Sequence, residues 1–200
     1  ENRDQGMAEF ERCLAPETGV EQSSEDAVVD RGTLSYEDLC AASLTELLKL
    51  RKNSSQKLIY VDDSGEREQT YSQLYDRARL IAGSLRSMGL VPGSKLVLQL
   101  TDNKAYIEAF WGCMLAGIVP APLAVLDDYG TTNLHTDKLQ NICRLLENPF
   151  ILTSEGLRPA IEKLYGAVIC FEDLEGGEPI AESDMYDWGW EETTLLLFTS

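Results

Sequence analysis

The chain is poor in the residues from which metal centres and nucleophilic relays are assembled. It has a single histidine, His135, in "TTNLHTDK"; without a second imidazole, neither a metal cluster nor a Ser–His–Asp triad is built on it, and it reads as structural or exposed. Five cysteines, Cys13, Cys40, Cys113, Cys143 and Cys170, are scattered without a CxxC pair. Their odd number and wide spacing argue against both a disulfide framework and a zinc site. Apolar runs are short: none approaches the roughly 20 residues that cross a bilayer. The opening "ENRDQGMAEF" is polar and acidic, unlike a secretory signal. These two absences make the cytoplasm the expected location. Base is scarce as well, with 17 Lys and Arg against 34 Asp and Glu for a net charge of −17. No basic stripe is available to neutralise phosphates, which excludes nucleic acid as a partner.

The acidity has an address. Residues 1–40 hold eleven acids against Arg3, Arg12 and Arg31, and residues 171–200 hold nine acids and no base. The stretch between them, 41–170, has fourteen of each and is neutral. Both acidic segments read as solvated tail and loop. The composition otherwise, 44% hydrophobic and 26% charged over 200 residues, is that of a globular protein of one or two domains.

Periodicity divides the chain near residue 43. Residues 1–42 lack a sustained pattern and read as an acidic linker or tail, with a short helix at "MAEFERCL". Ser43 caps an expected helix in "SLTELLKLRK". "KLIYVDDSGEREQTYS" holds two strand-like runs about a turn, a hairpin. Thr70 and Gln73 match a capping box, and Leu74, Ala78, Ile81, Leu85 and Met88 form one apolar helical face that stops at Gly89. "SKLVLQL" has buried-strand character. A helix then runs from near Asp102 to Gly117 with apolar or small residues nearly all round, which places Phe110, Trp111, Gly112 and Cys113 in core packing. "IVPAPLAV" is a strand restricted to an edge by Pro120 and Pro122. Leu134 to Leu146 is an amphipathic helix. Strand "FILTS", a helical turn in "LRPAIEKLYG", strand "AVICF" and a final buried strand starting near Thr194 complete the order. Strands alternating with helices predict an α/β fold with a doubly wound, largely parallel sheet and flanking helices.

In such sheets ligands bind beyond the carboxyl ends of the strands. The closing "TTLLLFTS" empties into Thr199 and Ser200 at a position of that kind, although the pattern alone equally describes a strand entering an ordinary turn.

Four segments in register alter that balance. "QTYSQLYDRARLIAGSLRSMGLVPGSKLVLQL", "YIEAFWGCMLAGIVPAPL", "KLQNICRLLENPFILTS" and "TTLLLFTS" resemble successive blocks of the AMP-forming adenylating enzymes, the superfamily of acyl-CoA synthetases and peptide-synthetase adenylation domains. The resemblance covers residues 43–200. Within the superfamily, "QLTDNKAYIEAFWGCMLAGIVPAPLAV" is most similar to fatty-acyl-AMP ligases and the acyl-ligase modules of polyketide and lipopeptide assembly lines. Amino-acid adenylation domains tend to show Lys-Ala-Gly followed by Tyr-Val-Pro-Leu-Asp; Ala116 to Pro122 here lack both the lysine and the aspartate.

The resemblance implies a reaction in which a carboxylate attacks the α-phosphate of ATP, with Mg2+, to give an acyl adenylate and pyrophosphate. The acyl group then passes to a thiol, either the phosphopantetheine arm of an acyl or peptidyl carrier protein or coenzyme A. It makes Thr199 and Ser200 the first two residues of the phosphate loop, with residues 43–200 the amino-terminal part of the large subdomain, truncated where that loop begins. No catalytic or metal-binding residue is implied within the chain, which by itself is expected to be inactive. A linker-like 1–42 suits a module among neighbouring synthetase domains. The alternatives are an adenylation domain selecting a keto, aryl or amino acid, and a degenerate adenylation-like domain kept for structure or docking.

Overall fold

Helix α1 (Leu44–Arg51) starts where the sequence supplies a hydroxyl: the Ser43 side chain accepts the Glu46 amide at 3.2 Å. The computed structural model describes residues 43–62, 65–130 and 133–198. The acidic segment 1–42 with its expected helix, and the pair Thr199 and Ser200, lie outside the described residues. After α1, strands β1 (Lys57–Asp62) and β2 (Gly65–Thr70) form the expected antiparallel hairpin, with Lys57 opposite Thr70 and Asp62 opposite Gly65.

Helix α2 (Tyr71–Ser87) opens on the anticipated capping box: Thr70 Oγ1 accepts the Gln73 amide at 3.1 Å, and Gln73 Oε1 accepts the Thr70 amide at 2.9 Å. Leu74, Ala78, Ile81 and Leu85 are buried on one face as their spacing requires. The helix stops at Gly89, where the Leu90 amide reaches back to the Leu85 carbonyl. Strand β3 (Lys95–Gln99) follows, then helix α3 (Asn103–Ala116), capped by Asp102 through the Ala105 amide at 2.7 Å. Gly117 ends α3 at φ 73°, a left-handed conformation in which the Ile118 amide returns to the Cys113 carbonyl.

The remaining strands are β4 (Val119–Pro122), β5 (Phe150–Thr153) and β6 (Val168–Cys170), with helices α4 (Leu134–Leu145) and α5 (Arg158–Ile161) between them. The sheet order is β4-β3-β5-β6 and every pairing is parallel. Side chains of β3 alternate between two apolar clusters. Leu96 and Leu98 join α2 and α3 on one face, and Val97 joins α4 and Ile161 of α5 on the other. The sheet is thus doubly wound. Phe110 and Trp111 pack against the first cluster, Gly112 and Cys113 are buried within it, and Cys143 is buried in the second. Burial pushes the Cys143 thiol up to about 11.

Gly112 sets the distance between α2 and α3. A Cβ there would lie 2.4 Å from Ile81 Cγ2 and 2.8 Å from Ile81 Cβ, so only a hydrogen fits. The hairpin is tied to the same pair of helices by polar atoms. Tyr60 Oη donates to Gln69 Oε1 at 2.7 Å, Gln69 Nε2 donates to Glu108 Oε1 at 2.6 Å, and Arg77 Nε donates to Glu108 Oε2 at 3.1 Å.

The second acidic segment departs from the solvated loop its charge predicts. Residues 172–188 form a strap across α2 and α3, containing 3-10 turns at Glu172–Gly176 and Glu182–Asp184. All nine acids of 171–200 remain exposed, but Leu174, Ile180 and Met185 are buried between them. Backbone bonds join the strap to the helices: the Ile180 amide donates to the Arg79 carbonyl, and the Tyr186 amide to the Leu115 carbonyl. Arg79 Nε, Ser84 Oγ and Trp188 Nε1 donate to the Ile180, Leu174 and Met114 carbonyls. Counting charge alone misses three apolar anchors spaced among the acids.

Two outcomes test this packing. Gly112→Val is expected to lower unfolding free energy by about 2–3 kcal/mol through overpacking, measured as a shifted urea midpoint with an unchanged m-value. Gly166→Ala, where an added Cβ meets nothing within 4 Å, serves as the neutral control. The second concerns Glu182, whose carboxylate accepts from Tyr75 Oη at 2.7 Å and from Lys52 Nζ at 3.0 Å. The Tyr75 hydrogen bond, then Lys52, hold its pKa below the usual carboxylate range. A depressed carboxylate contributes stability above its unfolded pKa and loses it as pH falls through the folded value. Protection of the Ile180 amide from hydrogen exchange, taken relative to its intrinsic rate at each pH, should therefore fall on acidification below about pH 4.5, and this loss of protection should disappear in Glu182→Gln.

Candidate functional site

The chain leaves β3 toward α3 on one face and leaves β4 and β5 toward the other, so winding reverses at β3. In an open α/β sheet the crevice outside the carboxyl ends at such a reversal is where ligands bind. The last residue of β3, Gln99, is fully buried at that point. A buried amide is costly unless its arms are paired, and both are. Nε2 donates to the Ala124 carbonyl at 2.9 Å, and Oε1 accepts from Tyr129 Oη at 3.2 Å. Tyr129 Oη in turn accepts the Leu126 amide at 3.0 Å. Desolvation raises the Tyr129 pKa, which keeps the phenol protonated and donating to Gln99. From β5, Thr153 Oγ1 donates to the Gln99 carbonyl at 2.9 Å. One glutamine thereby fixes the loop that leaves β4.

That loop delivers the chain to Asn133, whose Oδ1 accepts the His135 and Thr136 amides at 2.9 and 3.0 Å and starts α4. Between β4, its loop and α4 lies a cavity of about 270 Å³. Pro122, Leu123 and Leu126 line it from the strand side, Leu139 and Ile142 from α4, and Phe198 from the end of the described chain. His135 and Lys138 are exposed residues on its lining. The lone histidine thus sits at the cavity, paired with no second imidazole.

The expected final strand is corrected. Residues 193–198 join no sheet, and Leu197 is 71% exposed. Their recorded tie to β4 is the Leu196 amide donating to the Pro120 carbonyl at 3.1 Å. The reason lies in β4. Val119 and Leu123 turn their amides toward β3, donating to the Ser94 and Leu98 carbonyls, so alternation points positions 120 and 122 to the open edge. Both are proline and supply no N–H there. The leucine run therefore lies beside the edge without building a ladder. Leu196 and Phe198 still pack on the second apolar cluster, and Phe198 carries the chain to the cavity immediately before Thr199 and Ser200.

Among the described residues no group of three or more His, Cys, Asp or Glu is placed to hold a metal ion, so no magnesium ligand is assigned. Also among them, no helix is long and apolar enough to cross a membrane. Sequence reasoning met Gln99 only as the first residue of the Gln-x-x-x-Asn pattern that carries the resemblance, and it singled out neither Tyr129 nor the cavity. The available signal was a glutamine closing the otherwise apolar "KLVLQ", in a strand with no polar face to receive it.

Tyr129→Phe tests the network. It strips the Leu126 amide of its acceptor and Gln99 Oε1 of its donor, and should cost about 1–3 kcal/mol in chemical denaturation. The Leu126 amide should exchange faster while amides of α2 and α3 keep their protection. Uniform loss of protection across the chain would refute a local role.

Known proteins place this architecture. The AMP-binding enzyme family matches residues 49–193. The long-chain-fatty-acid–AMP ligase FadD26 of Mycobacterium tuberculosis is 29% identical over 121 residues, covering 59% of this chain and 19% of that protein. Among solved structures, the McyG A-PCP complexed with phenylalanyl-adenylate has a TM-score of 0.73 at 33% identity, over 79% of this chain and 26% of its own. The adenylation domain of a keto acid-selecting NRPS module, bound to keto acyl adenylate, has a TM-score of 0.74 at 27% identity, over 80% and 30%. This chain thus spans less than a third of the length of each. A match over nearly three quarters of the chain, joined to the reversal of winding at β3, carries one conclusion: the chain belongs to the AMP-binding enzyme family.

Proposed function

We propose that residues 43–200 are the amino-terminal part of the large subdomain of an ATP-dependent acyl ligase. In this reaction an oxygen of a carboxylic acid bonds to the α-phosphorus of ATP as the bond to pyrophosphate breaks, leaving an acyl adenylate. A thiol then attacks the acyl carbon and AMP departs. On this reading Thr199 and Ser200 open the phosphate loop. Small residues there let backbone N–H groups approach phosphate oxygens, and the two hydroxyls add donors. The single observation that carries the reading is the course of 193–198, which runs from the Pro120 carbonyl to the cavity outside β3 and β4. The family uses ATP with magnesium. The ion would supply charge neutralisation at the phosphates, and no described side chain is assigned to it.

The favoured substrate is a fatty or other non-amino acid. Support comes from Ala116 to Pro122, which lack the lysine and aspartate common in amino-acid adenylation domains, and from relatives named for fatty-acid–AMP ligation and keto acyl adenylate. The favoured acceptor is the phosphopantetheine thiol of an acyl or peptidyl carrier protein in a multidomain synthetase, a reading supported by likeness to an A-PCP structure. A second reading, an adenylation domain for an amino or aryl acid, draws on the phenylalanyl-adenylate in that structure.

Substrate-dependent ATP–pyrophosphate exchange tests the proposal. In a protein continuing past Ser200, fatty or keto acids should drive exchange and a holo carrier protein should then be acylated. Thr199→Ala and Ser200→Ala should each slow exchange by roughly 10–100-fold, the worth of a hydrogen bond to a charged oxygen. Residues 1–200 alone should give no exchange. Exchange driven by an α-amino acid would favour the second reading, and its absence with every acid would leave a structural or docking domain.

A further inference from the structure

We propose that a second cavity, at the amino ends of β3 and β4, binds a small betaine, a molecule that joins a quaternary ammonium to a carboxylate through a short chain. The site lies at the end of the sheet opposite Gln99, and it stands independently of the acyl-ligase reading.

The cavity has a volume of about 350 Å³, within the roughly 300–1,000 Å³ of small-molecule sites. Lys95 and Val119, the first residues of β3 and β4, line it from the sheet. Tyr186 and Trp188 line it from the end of the strap, and Glu192 and Thr193 from the segment after it. Both rings are fixed by contacts to the end of α3. Tyr186 lies over Gly117, where a Cβ would come within 2.5 Å of Tyr186 Cγ, and its amide donates to the Leu115 carbonyl. Trp188 Nε1 donates to the Met114 carbonyl at 2.9 Å. The two rings meet edge to face with centroids 5.0 Å apart.

The charges on the lining decide the ligand class. Glu192 is held rigidly, one carboxylate oxygen accepting from Tyr186 Oη and the other from the Gly189 amide at 2.5 Å. The Tyr186 bond, then the Gly189 amide, hold its pKa below the usual carboxylate range, so it is ionised at neutral pH. With each oxygen already accepting, Glu192 offers the cavity mainly charge. A cation without N–H donors suits such a group, and aromatic rings attract the same kind of cation through their quadrupoles. The opposite requirement comes from Lys95, the only base on the lining. Half-buried, it has no hydrogen-bond or ion-pair partner among the described residues, so it does not pair with Glu192. An ammonium ligand alone would leave Lys95 uncompensated, and an acid alone would add a second negative charge beside Glu192. A molecule carrying both groups answers both.

The full chain, isotope-labelled, is titrated with γ-butyrobetaine while the indole Nε1–H resonance of Trp188 is followed by NMR, that signal being identified by its loss in Trp188→Phe. A saturable shift is expected. Two analogues separate the contributions: γ-aminobutyrate, which lacks the methyl groups, and the neutral-headed isostere with tert-butyl in place of trimethylammonium. Each should bind roughly two- to fivefold more weakly, the worth of an exposed cation–π contact. Lys95→Gln should weaken γ-butyrobetaine by roughly two- to fivefold, as for an exposed charge pair, and leave choline, which has no carboxylate, bound no more weakly. Thr193→Trp, at an exposed position on the lining, fills the cavity and should abolish the γ-butyrobetaine shift, with amide dispersion confirming its fold. The proposal is overturned by an unsaturable response, by equal binding of either analogue, by γ-butyrobetaine affinity unchanged in Lys95→Gln, or by a shift that survives in folded Thr193→Trp. Pyrophosphate exchange bears on none of these readouts, so this site and the ligase reading fail separately.

Discussion

Gln99 is the constraint on which the ligand-facing end of this fold depends. A central strand covered on both faces has no solvated side on which to place an amide, so the residue persists only if every arm is bonded. Its bonds go to Ala124 and Tyr129, and its own carbonyl receives Thr153. They therefore tie three consecutive parts of the sheet's carboxyl end: β3, the loop after β4, and β5. The position of α4 follows, because the loop so fixed leads to the Asn133 cap. The cavity is the space left between a loop pinned by a polar residue and a helix drawn in by Leu139 and Ile142. Gln99 also lines that space, with one amide N–H already given to Ala124 and its oxygen already accepting from Tyr129.

The opposite face is governed by proximity of backbones. Gly112 lets α2 and α3 approach until Ile81 fills the space over its Cα, and the strap closes over the pair. The strap shows how a segment with seven acids and no base can still dock. Its carboxylates stay in water, and where they are used they meet cations and a phenol at the rim, as Glu182 meets Lys52 and Tyr75. Glu175 likewise receives Arg77, which also holds the buried Glu108. The hairpin, the two helices and the strap thus share one polar chain, running from Tyr60 through Gln69, Glu108 and Arg77 to Glu175. A charge count sees only repulsion in such a segment, because it ignores the spacing of Leu174, Ile180 and Met185.

Legibility followed the range of the physics. Interactions that close within three or four residues were readable from sequence: the Thr70–Gln73 box, the Asp102 cap and the left-handed stops at Gly89 and Gly117. So were the helical faces, whose periodicity records a partner without naming it, and the doubly wound class, which follows from element order. The strap and the cavity were not readable. Each depends on pairing residues far apart in the chain, such as Gln99 with Ala124, 25 positions on, or Arg79 with Ile180, 101 positions on, and no local pattern encodes such distances. The run Leu195–Phe198 misled for a related reason. Its composition is that of a buried strand, but a ladder needs donors from the neighbouring edge as well.

Those missing donors shape how the proposed phosphate loop is held. A ladder would fix the approach to Thr199 by repeated backbone bonds, whereas prolines at 120 and 122 leave the bond from Leu196 to the Pro120 carbonyl. The direction of the chain beyond it then depends on side-chain packing, chiefly Leu196 and Phe198 on the second apolar cluster. Packing of this kind responds to whatever else occupies the wall. Phe198 belongs both to the segment that leads into Thr199 and to the lining of the cavity. An edge strand with prolines at its outward positions is therefore more than a barrier to unwanted strand pairing. It also leaves residues 193–198 beside an apolar space without the hydrogen-bond ladder that would fix them to the sheet.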